Sequence, residues 1–578
     1  MRWIIAAIVA VLLVIIGWRF MPERDEIVIY PAKGVVTVNG PDTIAEAVAV
    51  QNGRILGVGA RQTLTANYPD ARIDETFADQ FIVPGFIDPH IHMVLSSLQY
   101  AVPTAPPWPM ATPDGMRDGY PTREAFFARV RAVEAEAKPG EPLVIYGFHD
   151  LVHGPLDRHD LDAVTTDRPL IIWHYSSHDF YLNSAALEWA KIDASLHEKF
   201  EGVPLGEDGL PTGRVFEDAV PYLLETLGGV LMNPFKIKKG LDGFSKLLRE
   251  GGVTTVADLG YGAFGLGLED LNIKVNWQSP AHSGYRLYLV PEHRAFEKKF
   301  GDKRVETIKD MVSGARGTPA PVLPQVKFFA DAAFYSQTMR VSEPGYLAGQ
   351  SEGSQGLWVI KPDELTSVIA PYWDAGLAVR IHSNGDEAQS ATLAALAALR
   401  NRNQDLRFVI EHGGLFSPDH VAKAGAFGAA VSAASHYVFY LGEAYQAPLG
   451  PERGQWISPL ASLSAAGVPV TLHSDAPLAP PLPLLAASVQ MTRATREGGV
   501  LTPSEKMSAY EALEAITIDA AYALGLEDEL GSIAPGKRAD FTILSENPLV
   551  VRGAEWPDIG VWGVVLDGEK RPVSGAGD

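Results

Sequence analysis

Short apolar runs set off by glycine, proline and asparagine open the chain after residue 26. Ile27–Tyr30, Gly34–Val38 and Ala45–Val50 read as strands. Gln51-Asn52-Gly53-Arg54 reads as a hairpin turn, because Asn-Gly supplies the positive φ angles that a tight turn needs. Arg54–Val58 is then the returning strand of a small β-module. From Phe81 the pattern changes to short apolar runs alternating with longer amphipathic stretches. Eight runs read as strands: Phe81–Ile87, Val253–Ala257, Tyr285–Val290, Val326–Phe329, Leu377–Ile381, Arg407–Ile410, Ala429–Ala433 and Val468–Leu472. Parallel strands buried on both faces read as unbroken Val/Ile/Leu runs, and eight of them with intervening helices predict an α/β fold, a closed (β/α)8 TIM barrel.

The first two of these strands are separated by roughly 150 residues, far beyond the usual connection. That insertion carries a predicted helix over Arg123–Glu136 and strands over Leu143–Tyr146 and Leu170–Trp173. Leaving from the C-terminal end of a strand, it is expected to overhang the active face as a lid. Ala539–Leu544 and Gly560–Leu566 follow a barrel that is already complete, so they are expected to rejoin the N-terminal strands. The predicted division is a β-sandwich split between 24–80 and 531–578, and a barrel over 81–530 with its insertion at 93–250.

Trp3 to Trp18 form one apolar run between Arg2 and Arg19. As a helix it rises roughly 24 Å at about 1.5 Å per residue, and Trp3 and Trp18 sit where an aromatic belt would. A cleaved secretory signal is the rival reading, but no A-x-A-like site occurs in Gly17-Trp18-Arg19-Phe20-Met21-Pro22. Residues 1–21 are therefore expected to be a transmembrane helix, a single-pass anchor. Arg2 and the acidic Glu23, Asp25 and Glu26 place the catalytic part outside, in a periplasm.

Composition narrows the chemistry. With 48 Lys+Arg against 70 Asp+Glu, the net charge of −22 repels nucleic acid phosphates. Cysteine is absent, which excludes disulfides, thiolate metal sites and cysteine nucleophiles. Any metal must be held by nitrogen and oxygen.

Catalytic groups in such a barrel sit at the C-terminal ends of strands. The first strand ends in Asp88-Pro89-His90-Ile91-His92, and alternation puts His90 and His92 on one face. The fourth carries Lys327, the fifth ends at His382, the sixth at Glu411-His412 and the eighth at His473-Ser474-Asp475. Imidazoles with a carboxylate suit Zn²⁺, Fe²⁺, Mn²⁺ or Co²⁺ and suit Ca²⁺ poorly. In the insertion, His178, Asp179 and Tyr181 are candidates to reach substrate, while His149, His153 and His159 read as solvated loop residues. Tyr437, Phe439 and Tyr440 are candidate pocket aromatics. His436 is a candidate to hydrogen-bond the substrate or a metal-bound water.

The stretch Val83-Pro84-Gly85-Phe86-Ile87-Asp88-Pro89-His90-Ile91-His92 resembles the opening motif of the amidohydrolase superfamily. Gly531-Ser532-Ile533-Ala534-Pro535-Gly536-Lys537-Arg538-Ala539-Asp540-Phe541 resembles its C-terminal return into the β-domain. His178 through Leu187, Val326 through Asp331, His382 through Asp386, Ile410-Glu411-His412 and Ser474 through Pro477 are similar to the amidohydrolase 3, YtcJ-like branch. The resemblance implies that His90, His92 and Asp475 bind one metal, zinc first among the candidates, and that His382 and His412 bind a second. It implies a carbamylated Lys327 bridging two ions, against which stands an unmodified Lys327 beside the substrate. It further implies that Asp475 shuttles a proton while metal-activated hydroxide attacks the substrate. One departure matters: where relatives carry Gly after the strand-four aspartate, this chain has Ala332, followed by the bulky Phe334 and Tyr335. Substrate choice therefore does not transfer.

The function expected is hydrolysis of a non-peptide C–N bond in a small amide, N-acyl amine or cyclic amide. Alternatives are a deaminase of a heterocycle on the same site, a peptidase cutting exposed termini, and a membrane-tethered binding protein that has lost catalysis. Expected partners are a small-molecule substrate and the membrane, with no nucleic acid; an oligomer is compatible with the sequence.

Overall fold

A computed structural model of the protein describes residues 26–40 and 44–573. The anchor expected over residues 1–21 lies outside them. Among the described residues no helix is long and apolar enough to cross a membrane.

The N-terminal strands and the last ones form a single sheet. Its order runs Glu569–Pro572, Val561–Leu566, Phe541–Leu544, Phe81–Pro84, Val28–Val36, Ile44–Gln51 and Arg54–Gly59, with the short Arg72–Ile73 beside Val28–Val36. Phe541 pairs antiparallel with Pro84, and Leu544 with Phe81, so the chain does return to where it began. Asn52 and Gly53 take φ angles of 50° and 73° at the hairpin, as the Asn-Gly pair predicts. Buried Val35, Ile82, Phe541 and Val565 pack the inner face.

Eight further strands run parallel. Phe86–Ile91, Val253–Tyr261 and Arg286–Pro291 make a three-stranded sheet. Gln325–Phe329, Ala378–Ser383, Phe408–His412, Ala430–Ala434 and Val470–His473 make a five-stranded one. The two sheets meet at both margins, through parallel bridges Ile91–Ala476 on one side and Leu289–Val322 and Glu292–Lys327 on the other. Their apolar runs are buried in one cluster that includes Val256, Leu287, Val326, Ile381, Ile410, Val431 and Leu472. Being parallel, all eight strands bring their C-terminal ends to the same side.

One expected strand is really two. The apolar run Phe81–Ile87 divides at Gly85, with Phe81–Pro84 in the first sheet and Phe86–Ile91 in the parallel set. A Cβ on Gly85 would lie 2.3 Å from Thr254 Oγ1, so the crossing between sheets leaves room only for hydrogen.

The insertion builds its own sheet, in the order Arg214–Phe216, Asp179–Leu182, Leu170–His174, Leu143–Phe148. Its helix Arg123–Glu136 is capped by Thr122, whose hydroxyl accepts from Ala125 N–H at 3.2 Å. Helices Val220–Leu231 and Pro234–Glu250 then lead back to the second parallel strand, the latter packing on helix Met93–Gln99 that follows the first.

Candidate metal centre

His90 is the penultimate residue of its strand, and His92 lies just beyond it, still extended at φ −127°, where it begins helix Met93–Gln99. Both therefore face the strand mouth. His90 Nε2 is 3.5 Å and His92 Nε2 3.2 Å from Asp475 Oδ1. His412 Nδ1 is 3.5 Å from the other carboxylate oxygen. The His473 ring lies 4.6 Å from that of His90 and 5.2 Å from that of His412. Two triads of ligand atoms result, His90–His92–Asp475 and His90–His412–His473, each with its three atoms within 4.8 Å of one another.

The donor set fits a cation. His90 Nε2, His412 Nδ1, His473 Nε2 and Lys327 Nζ are all buried and make no hydrogen bond. One such unpaired buried group costs about 1–3 kcal/mol, so the three imidazoles grouped within 4.8 Å call for a common partner. The lone pairs are also aimed. His90 Nδ1 lies 2.7 Å from Glu411 Oε2 and donates to it, which leaves Nε2 as the free acceptor. Glu411 is in turn paired with the buried Arg380, whose Nη2 also donates to Pro89 O at 3.2 Å.

His382 stands slightly apart. Its ring is 4.4 Å from that of His412, but its Nε2 lies 2.9 Å from Ala332 O and 3.0 Å from Asn384 Nδ2. The imidazole grouped with His90 and His412 is instead His473, which the strand-end pattern names without assigning it a metal. The signal was there: His473 and Asp475 are two apart, the spacing that put His90 and His92 together. Glu411 was passed over because neighbours on a regular strand face opposite ways. His412 has φ +74° and Asp475 φ +53°, left-handed backbone that turns both side chains out of the strand rule. Such conformations concentrate at functional sites.

Beside the cluster is a cavity of about 240 Å³, lined by His92, Lys327, His382, His412 and Asp475 on the strand side. The insertion covers it, contributing His178, Phe180 and Glu217. His178 Nδ1 is 3.1 Å from Glu217 Oε2, and Glu217 Oε1 accepts from Thr338 Oγ1 at 2.9 Å, tying lid to strand-four loop. Glu217 was not anticipated. Tyr335 and Tyr437 line the cavity; His436, Phe439 and Tyr440 are not among its lining residues, the His436 ring stacking on Tyr440 at 5.5 Å.

The insertion histidines also need correcting. His149 and His153 are buried and only His159 is exposed. His149, Asp150 and His174 form a third group of donors, with His174 Nε2 3.1 Å from Asp150 Oδ1. Backbone N–H groups of Leu151 and Ser176 already donate to His149 Nδ1 and His174 Nδ1, while His149 Nε2 is buried without a hydrogen-bond partner.

A family model described as the amidohydrolase family matches residues 78–570. The chain belongs to that family. The plant protein LONG AFTER FAR-RED 3 of Arabidopsis thaliana is 28% identical over 87% of this chain and 84% of its own length. The putative amidohydrolase YtcJ of Bacillus subtilis is 24% identical over 91% and 95%. The N-substituted formamide deformylase of Arthrobacter pascens is 26% identical over 95% and 99%. Among solved structures, an uncharacterized metal-dependent hydrolase of Pyrococcus horikoshii aligns with a TM-score of 0.69 at 18% identity, over 91% of this chain and 99% of that one. YtcJ and the deformylase support the amidohydrolase 3 branch.

Protonation in this amidohydrolase follows from burial. Burial and the nearby Lys327 push His90 well below the usual imidazole value, and the same two causes hold His382 at about 3. Burial, against the pull of Glu411 and Asp475, leaves His473 at about 4. Neutral imidazoles offer lone pairs. Burial alone would raise Asp475, but His92 beside it, with Lys327 nearby, holds it at about 2, so it is ionised. Burial lowers Lys327 to about 8, with Glu411 and Asp475 opposing the fall. Neutral nitrogen with ionised oxygen is the state a divalent cation requires.

Proposed function

We propose that the protein is a metal-dependent hydrolase that cleaves a non-peptide C–N bond in a small amide, N-acyl amine or cyclic amide. The observation that carries this reading is the convergence of unpaired, neutral His nitrogens on the Asp475 carboxylate at the wall of a single cavity. The names of the Arthrobacter deformylase and the Pyrococcus hydrolase agree with it. In this reading the eight parallel strands close as a (β/α)8 barrel, supported by the bridges at both margins. The N-terminal strands, Phe81–Pro84 and the last three strands form one β-domain as a single sheet rather than the expected sandwich, and the insertion forms the lid.

One or two divalent transition-metal ions, zinc first among them, would be held by His90, His92 and Asp475 and by His412 with His382, His473 or Lys327. Such an ion supplies hydroxide from water near neutral pH and polarises a carbonyl. Asp475 takes up the proton as the carbonyl carbon is attacked and returns it to the nitrogen as the C–N bond breaks. Glu411 keeps His90 in the tautomer that presents Nε2. Lys327, its amine eased toward neutrality by burial, is suited to carbamylation by CO₂. His178 donates into the cavity from the lid. Replacing Asp475 by Asn should leave the fold intact, weaken metal retention, and lower kcat by about 10²–10⁴-fold even in protein resupplied with metal. Amine and carboxylate release from amide substrates reads this, and near-normal turnover would remove Asp475 from the mechanism.

A further inference from the structure

The cavity has two unlike walls. Towards the fourth and seventh strands it is aromatic, with Phe334, Tyr335 and Tyr437, the first and last stacked at 3.9 Å. Towards the first two strands, which pair with each other, it is mostly apolar beyond His92, with Arg294 entering from the helix after the third strand. Leu95 and Leu98 come from the helix that follows His92, and Phe264 from the loop after the second strand. Val220, Leu224 and Leu231 descend from one lid helix, at spacings that line a single helical face. Leu98 and Leu231 are buried, but Leu95, Val220, Leu224 and Phe264 are only half-buried and leave apolar surface turned to the cavity.

We propose that this apolar arm binds the substituent on the nitrogen of the scissile amide, so that preferred substrates are amides carrying an extended, uncharged alkyl or aryl group on nitrogen. The inference rests on Asp475 being the group that returns a proton to the leaving nitrogen. That nitrogen must lie within hydrogen-bonding reach of Asp475. Asp475 stands on the first-strand side of the mouth, where its neighbour Ala476 bridges Ile91. Whatever the nitrogen carries is thereby directed over Leu95 and Leu98, and Leu478, three residues past Asp475, continues the wall. An ionised substituent would lie among leucine, valine and phenylalanine side chains there and is disfavoured.

The test uses the full-length chain, metal-loaded and held in lipid nanodiscs, since detergent tails would compete for the arm. N-alkyl formamides from ethyl to octyl are titrated calorimetrically and assayed for amine release. Burying one methylene corresponds to about a fourfold gain. Affinity and kcat/KM should both climb by about that factor per methylene until the arm is filled, and an ω-carboxylate on the chain should abolish the gain. Leu224→Asn should flatten the series. A flat binding series with turnover intact overturns the arm and leaves the hydrolase reading standing. A rising binding series with no turnover keeps the arm and overturns the hydrolase reading; a flat series without turnover overturns both.

Discussion

At the scale of single residues, much of the site is organised by pairs that hold a ring in one orientation. Glu411 does this for His90, and Glu217 does it for His178. The second pair has a pH signature. Burial opposes the charge on His178, but Glu217 lifts it above its usual value. Glu217 itself is held at about 2 by His178 and Thr338 against its own burial. A raised histidine contributes stability that is present below about 6.5 and lost as pH rises through its folded value; a depressed glutamate contributes above about 4.3 and loses it as pH falls. The pair therefore contributes most between about pH 4.3 and 6.5. Thermal unfolding of Glu217→Gln against the natural chain should show its widest gap in that window and a narrowing gap above it; a gap independent of pH would mean that the ion pair is not what Glu217 provides. Residue types at strand ends made His90, His92, His382, His412 and Asp475 legible in the sequence. Glu411 and His473 stood at strand ends without a role: His473 carried the two-residue spacing to Asp475, and Glu411 was hidden because the alternation rule has no way to include a left-handed His412. Glu217 and the buried His149 depend on how the insertion folds over the mouth, which local pattern does not encode.

At the scale of elements, the parallel strands were legible because a strand covered on both faces must be apolar throughout. The same uniformity hid the boundary at Gly85, since an apolar run looks alike whichever sheet it joins. That boundary is tight: a Cβ there meets Thr254 Oγ1 at 2.3 Å and Cγ2 at 2.6 Å. Gly85→Ala should cost about 1–3 kcal/mol through overpacking, and Thr254→Ala in the same chain should recover part of it. Chemical denaturation measures both, and a loss unchanged in the double variant would place the strain elsewhere. The Arg123–Glu136 helix was read to its ends because Thr122 caps it by a local, sequence-encoded bond. The short strands Asp179–Leu182 and Arg214–Phe216 had no such signal and are defined by their partners.

At the scale of the whole molecule, a chain carrying −22 charges has an apolar run over residues 3–18 that contrasts with everything after it. We propose that this run anchors the protein in a bilayer with the catalytic part outside. Deleting residues 1–21 should move the protein from a carbonate-resistant membrane fraction to the soluble fraction without loss of the fold that begins after them; retention in the membrane would assign the anchoring to another surface. The return of Phe541–Leu544 onto Phe81–Pro84 ties the two ends of the catalytic region into one sheet, at the N-terminal end of the first parallel strand and away from the metal cluster.

The central claim is that the buried imidazoles and Asp475 hold a transition metal, and elemental analysis of protein purified without chelator tests it most directly. We predict one or two transition-metal ions per chain, diminished in the His90→Ala/His92→Ala double variant while its circular dichroism stays native. A well-folded natural chain that carries no such metal, even after Zn²⁺ or Mn²⁺ is supplied, would contradict the account.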